Sequence, residues 1–144
     1  ADHSSINQES TFKTVNGKYQ VPLLIYSPVF FKPDSITYPV QHIDILPSLA
    51  HLFGGELFAM GRSLFDSSSR DIVHFDGGIH SIVLDSLQLS MSGNQLTGFY
   101  NQKLDPEHRF WIVDSLENQE KELKHRLKAY KQNFNSRILS NTYH

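Results

Sequence analysis

Residues 71–100 read DIVHFDGGIHSIVLDSLQLSMSGNQLTGFY. Short runs of alternating apolar and polar residues are separated by tight glycine-containing turns. Strands are expected at Asp71 to Phe75, at Ile79 to Leu84, on the alternating Leu87, Leu89 and Met91, and at Gln95 to Tyr100. Asp76-Gly77-Gly78 and Ser92-Gly93-Asn94 supply the reversals. This spacing predicts an antiparallel meander. A further strand is expected at Phe110 to Val113.

Downstream the period changes. Leu116, Leu123, Leu127, Tyr130, Phe134 and Ile138 mark one face of a long helix. Asp114 and Glu117 make a start resembling a capping box. Glu117, Glu120 and Glu122 sit early, and Arg126, Lys128 and Lys131 sit late, an order that complements the helix dipole. The charges read as a solvated face.

Upstream, residues 4–18 are polar and read as a loop. Val21-Pro22-Leu23-Leu24-Ile25-Tyr26 is a continuous apolar run bounded by turn formers. It is expected to be a buried strand at the centre of a sheet covered by helices. Pro22 suits its start, where no ladder donor is needed. Pro28, Pro33 and Pro39 make residues 27–41 an extended connection. Asp44 is expected to be the N-cap of a short helix carrying Ile45, Leu46, Leu49, Leu52 and Phe53, with Pro47 in its first turn and Gly54-Gly55 ending it. The class is therefore α/β.

Composition limits function. The chain has 144 residues, 39% of them hydrophobic, which suffices for a packed core. Thirteen Lys and Arg stand against fifteen Asp and Glu, a net charge of −2, so a nucleic-acid partner is not expected. No run approaches the ~18–20 apolar residues of a membrane span. Without cysteine there is no disulfide, zinc ribbon or thiol nucleophile. The chain opens Ala1-Asp2-His3-Ser4, with neither Met nor a signal-peptide pattern, and is expected to be a cut or processed piece.

Asp2-His3 is the first chemical candidate. A carboxylate and an imidazole suit Zn²⁺, Mn²⁺ or Mg²⁺. Adjacent residues converge on one ion only where a strand runs out into a loop, and the polar stretch after His3 supplies one. Lys13 and Lys18 follow in that loop, within reach of an anionic substrate or simply solvated. His42 precedes the Asp44 cap and reads as structural first, site-lining second. Arg62 sits in a Gly-Arg-Ser turn, with a hydrogen-bonding role in the loop set against phosphate contact. His74 and His80 lack a third ligand nearby in sequence. Phe30-Phe31 reads as core or interface.

The order of these segments is itself informative. Asp2-His3, then VPLLIY from Val21, then QHIDILPSL from Gln41, then Leu52-Phe53-Gly54, then GRSLF from Gly61 resembles the sulfatase-like branch of the alkaline phosphatase superfamily. Within it the series looks most like the C-terminal part of the lipoteichoic acid synthase type of phosphoglycerol transferase. The resemblance covers residues 1 to about 65; beyond it, only the order of elements and the faint Asp105-Pro106 turn agree. Ser4 and Ser48 depart from the family's usual residues, Ser48 standing where Thr is common.

The resemblance implies an α/β chain that forms the C-terminal end of an alkaline-phosphatase-like fold. Residues 1–65 would close the catalytic core, and residues 66–144 would form a subdomain of small antiparallel sheet plus long helix. It implies that Asp2 and His3 hold one divalent metal ion (Mn, Mg or Zn), with Lys13, His42 and Arg62 as candidate substrate contacts. The attacking Thr or Ser would lie upstream, so this piece alone would not turn over. The parent would be a phosphoglycerol or phosphoethanolamine transferase acting on phosphodiester lipid head groups, at the extracytoplasmic face of a membrane. Its partners would be that lipid and the missing N-terminal part, and the fragment itself would be soluble and prone to self-association. Two alternatives stand beside it: a sulfatase hydrolysing sulfuric esters, and a non-catalytic α/β binding or structural module.

Overall fold

The computed structural model describes residues 12, 14–55, 57, 59–112 and 115–140. The meander forms as expected. Strands β1 (Ile72–Asp76), β2 (Ile79–Leu84), β3 (Leu87–Ser92) and β4 (Gln95–Asn101) lie in the order β1-β2-β3-β4, each antiparallel to its neighbour. Gly77 and Gly78 have φ of 55° and 87°. A two-residue turn with both central residues left-handed matches the twist of the strands it joins, and glycine adopts it without steric cost.

Register sorts the side chains. Val73 pairs with Ile82, Ile82 with Leu89 and Leu89 with Phe99, which sets one apolar row across the sheet. A bulge after Ser90 shifts the pairing, so that Met91 faces Leu96 while Ser90 faces Gly98. Leu96 and Phe99, three apart, thereby join one core. Helix α2 (Glu117–Ser140) lays Leu123 and Leu127 on this row, and Ile82, Leu89, Met91 and Phe99 complete the cluster. Arg126 pairs with Asp71 at 3.1 Å and with Glu122 at 2.9 Å, tying the helix to the start of β1.

The opposite sheet face sets polar residues beside Val83 and is still covered. Ser81, Gln88 and Ser90 are buried there. The two serine hydroxyls share a hydrogen bond of 2.8 Å, and Asn16 Nδ2 donates to Gln88 Oε1 at 2.6 Å. Asn16 leads into a three-ten turn, Gly17–Tyr19, that lies over this face.

Several expectations need correction. Val21 to Tyr26 is extended but is not a strand; Leu24 is 89% and Tyr26 85% exposed. A strand requires a neighbouring edge, and among the described residues all pairing lies within 72–101. Phe110 to Ile112 is not a strand either. A single bond, Ile112 N to Phe99 O at 2.8 Å, attaches it to β4, while Val113 lies outside the described residues. Asp114, expected to cap α2, also lies outside them.

The apolar face of α2 is buried only in its first half. Twenty-four residues span about 36 Å, whereas a six-residue strand spans about 20 Å. Phe134 and Ile138 therefore run past the densest packing and stay exposed.

Helix α1 spans Ile45–Leu52 and follows a three-ten turn, His42–Asp44. Gly54 N donates to His51 O at 3.0 Å and Gly55 N to Ala50 O at 2.9 Å, the paired closure expected of that Gly-Gly. The buried positions are Pro47 and Ser48, while Leu46, Leu49 and Phe53 face outward.

The core predicts a contrast. Leu127→Ala should cost about 2–5 kcal/mol by urea denaturation, whereas Leu139→Ala, at an 87% exposed site, should stay within about 0.5 kcal/mol.

Candidate functional site

Asp44 was expected to cap α1; its carboxylate instead joins three segments. Oδ2 accepts Gln41 N at 2.9 Å, Oδ1 accepts Arg62 N at 2.8 Å, and Arg70 Nη1 lies 3.2 Å from Oδ2. The Asp44 and Arg70 side chains are only 4% and 5% exposed. No side-chain bond caps α1 itself. The cause is competition: a buried carboxylate must find donors, and the two loops bring stronger ones than the first turn of the helix.

Ser48 makes the second joint. Its hydroxyl donates to Asp44 O at 2.5 Å and accepts Leu64 N at 2.7 Å. Gly61 passes against Ile43, where a Cβ would sit 2.0 Å from the Ile43 carbonyl oxygen. Only glycine permits that approach. Arg70 also donates to the carbonyls of Ser63 and Asp66 and lies over the Tyr38 ring. Tyr38 in turn donates its hydroxyl proton to Leu64 O. Gln41 fixes the unit on the sheet, its amide bonding Asp71 O and Val73 N at 3.0 Å each.

A cleft of about 870 Å³ opens beside this unit. His42, Gln41, Tyr38, Tyr19, Asn16 and His74 are among its walls. Tyr19 donates to Asp76 Oδ2 at 2.6 Å, Lys18 reaches the same oxygen at 2.9 Å, and the Tyr19 ring lies 5.2 Å from the His74 ring. These hydrogen bonds, Tyr19 first, hold the Asp76 carboxyl below its ordinary value, and the bond to Asp76 raises Lys18. Burial pushes the His74 imidazole down, against the pull of Asp76. Burial likewise lowers His108, which stacks on Tyr100 with ring centres 4.4 Å apart.

Of the expected site residues, His42 lies on the cleft and Arg62 on the loop that Asp44 ties to the same turn. The Arg62 guanidinium bonds Ser68 Oγ at 2.8 Å and Ser69 O at 3.2 Å. Asp2, His3 and Lys13 lie outside the described residues. Among the described residues no three of His, Asp and Glu gather to hold a metal, and no helix is long and apolar enough to cross a membrane. Sequence reasoning missed Arg70 and Gln41. Arg70 ends the exposed Asp66-Ser67-Ser68-Ser69 stretch, and nothing local marks it as the buried partner of Asp44. Phe30 packs edge-on against Phe53 and Phe31 stacks on Phe65, which places that pair on α1 and the Gly61–Phe65 loop.

Comparison with protein-family models gives no match, and comparison with the curated proteins gives none.

Asp44→Ala should cost about 3–5 kcal/mol in chemical denaturation, because it leaves Arg70 buried without its counter-charge. Ser48→Thr keeps the hydroxyl and should be far milder than Ser48→Ala, which strands Leu64 N at about 1–3 kcal/mol. The lowered histidines set a pH dependence. Above the ordinary value of 6.5 the His74 ring is neutral in both folded and unfolded chains. As pH falls below 6.5 the unfolded chain takes its proton first, so stability should decline until pH passes the lowered folded value. His74→Gln should flatten that decline in midpoints measured from pH 7 to 5.

Proposed function

We propose that this chain is part of a metal-dependent phosphoglycerol or phosphoethanolamine transferase with a sulfatase-like, alkaline-phosphatase-like fold. The observation that supports it is the joint between two of the resembling segments. The Asp44 carboxylate and Ser48 hydroxyl of Gln41–Leu49 bond the backbone of Gly61–Phe65. Asp44, which this chain shares with the resembling series, makes one of the two contacts. Ser48 uses only the hydroxyl that Thr also carries, so that departure leaves the joint intact.

In this reading Asp2 and His3, an oxygen and a nitrogen donor, fit a hard-to-borderline divalent ion. Such an ion lowers the pKa of an attacking hydroxyl and screens the charge of a phosphodiester. His42 offers an imidazole on the wall of the cleft. Gly61 and Asp44 fix the course of the loop that bears Arg62, and Lys13 is a further candidate for the anionic substrate. The attacking hydroxyl belongs to another part of the protein. Leu24, Tyr26, Val29, Leu46 and Phe53 leave apolar surface that is between 62% and 89% exposed. That surface favours a further part of the same protein packing on this side. The parent would work at the extracytoplasmic face of a membrane, on lipid head groups.

The test uses the complete gene product with a phosphodiester lipid as substrate. Asp2→Ala and His3→Ala should each lower bound metal and turnover by orders of magnitude. Unchanged turnover in both variants would remove the assignment. Hydrolysis of an aryl sulfate instead of the phosphodiester would favour the sulfatase alternative, and inactivity on both would favour the non-catalytic module.

A further inference from the structure

Residues 102–111 form a loop closed on itself by hydrogen bonds. Asp105 N donates to Asn101 O at 2.7 Å, His108 N to Asp105 O at 3.1 Å, and Phe110 N to Asp105 Oδ2 at 2.8 Å. Its hold on the sheet is aromatic. The half-buried His108 ring stacks on Tyr100, with centres 4.4 Å and planes 10° apart, while Trp111 meets the same Tyr100 ring edge-on. The platform exists because β4 carries Gly98, where a Cβ would lie 2.1 Å from the Tyr100 ring. Just beyond the loop, Ile112 N donates to Phe99 O at 2.8 Å.

Two features make this hold depend on charge. His108 Nε2 is buried and has no hydrogen-bond partner. A neutral ring with its proton on Nδ1 tolerates that. An imidazolium carries a proton on both nitrogens, so it would bury a charge and an N–H without an acceptor. His108 also has φ of 55°, a left-handed conformation that a residue with a Cβ holds against a steric cost. Stacking offsets that cost, and release of the ring removes it. Asp105, on the same loop, draws a proton toward His108, but burial outweighs it. From β1, the charges of His74 and His108 oppose each other. Glu107 and Arg109, on either side in the loop, pair with one another. We propose that His108 is an acid-released latch: the neutral ring clamps the 102–111 loop on Tyr100, and the protonated ring leaves it and frees the loop. The loop is rooted at Gln102, which bonds Gln88 and lines the larger cleft, so its release loosens one wall of that cleft. Asp2, His3, Lys13, His42 and Arg62 take no part in the latch, which therefore stands apart from the transferase reading.

The experiment measures hydrogen exchange of the Ile112 amide by NMR between pH 7.5 and 5, as protection relative to an unstructured peptide. The His108 ring protons report its protonation in the same samples. Below the ordinary histidine value of 6.5 the open loop takes its proton before the closed one does. Ile112 protection should therefore fall by about threefold or more by pH 5. His108→Asn supplies a residue that tolerates the left-handed conformation and takes up no proton. Its Ile112 protection should be the same at both ends of the range. His74→Gln should keep the loss, which separates the latch from the wider decline assigned to His74. The proposal is overturned if His108→Asn loses protection as the unaltered chain does, or if His74→Gln abolishes the loss. The unaltered chain also decides by itself: titration of the His108 ring with no change at Ile112 would rule the latch out.

Discussion

One buried carboxylate organises the first half of this molecule. Asp44 cannot be taken out of water as an ion unless donors replace the hydration it loses. It finds them on three separate stretches: the backbone of Gln41, the backbone of Arg62 and the guanidinium of Arg70. Each donor therefore constrains the others. The turn before α1, the Gly61–Phe65 loop and the start of the sheet form one unit, because loosening any of them exposes the same charge. Gln41 extends the unit by bonding the edge of β1 with its side chain.

The sheet is asymmetric in a way that follows from this arrangement. Its apolar face takes α2, and the packing there is ordinary side-chain burial. Its other face holds Ser81, Gln88 and Ser90, which pair with one another and with Asn16. Buried polar groups can be covered only by segments that bring matching hydrogen-bonding groups, and Asn16 does so. The cleft containing His42 and His74 lies beside that polar contact, where the chain has ring nitrogens and amides to offer a ligand.

How far the sequence foretold this depended on the range of the interactions. The meander was legible because its signals are local: alternation, Gly77-Gly78 and Gly93. The end of α1 was legible at Gly54-Gly55 for the same reason. Val21 to Tyr26 misled because apolar content marks a surface that seeks cover, and a strand also needs an edge to pair with. Leu46 and Leu49 misled similarly, since α1 turns Pro47 and Ser48 inward instead. At the site, the choice of Asp44 as a special residue was sound, but its role was not. Its partner Arg70 is 26 residues away and carries no local signature. The roles of Asp2, His3 and Lys13 rest on the sequence resemblance alone.

Trp111 is the only tryptophan in the chain. Its ring meets Tyr100 edge-on, with centres 6.3 Å apart, at the outer side of β4. Its fluorescence is therefore a local witness, reporting on the seam between residues 110–112 and β4 and blind to the Asp44 joint. Far-ultraviolet dichroism is dominated by α2. Followed together, the two signals separate peeling of that seam from melting of the helix, and coincident curves would identify the sheet and helix as one cooperative unit.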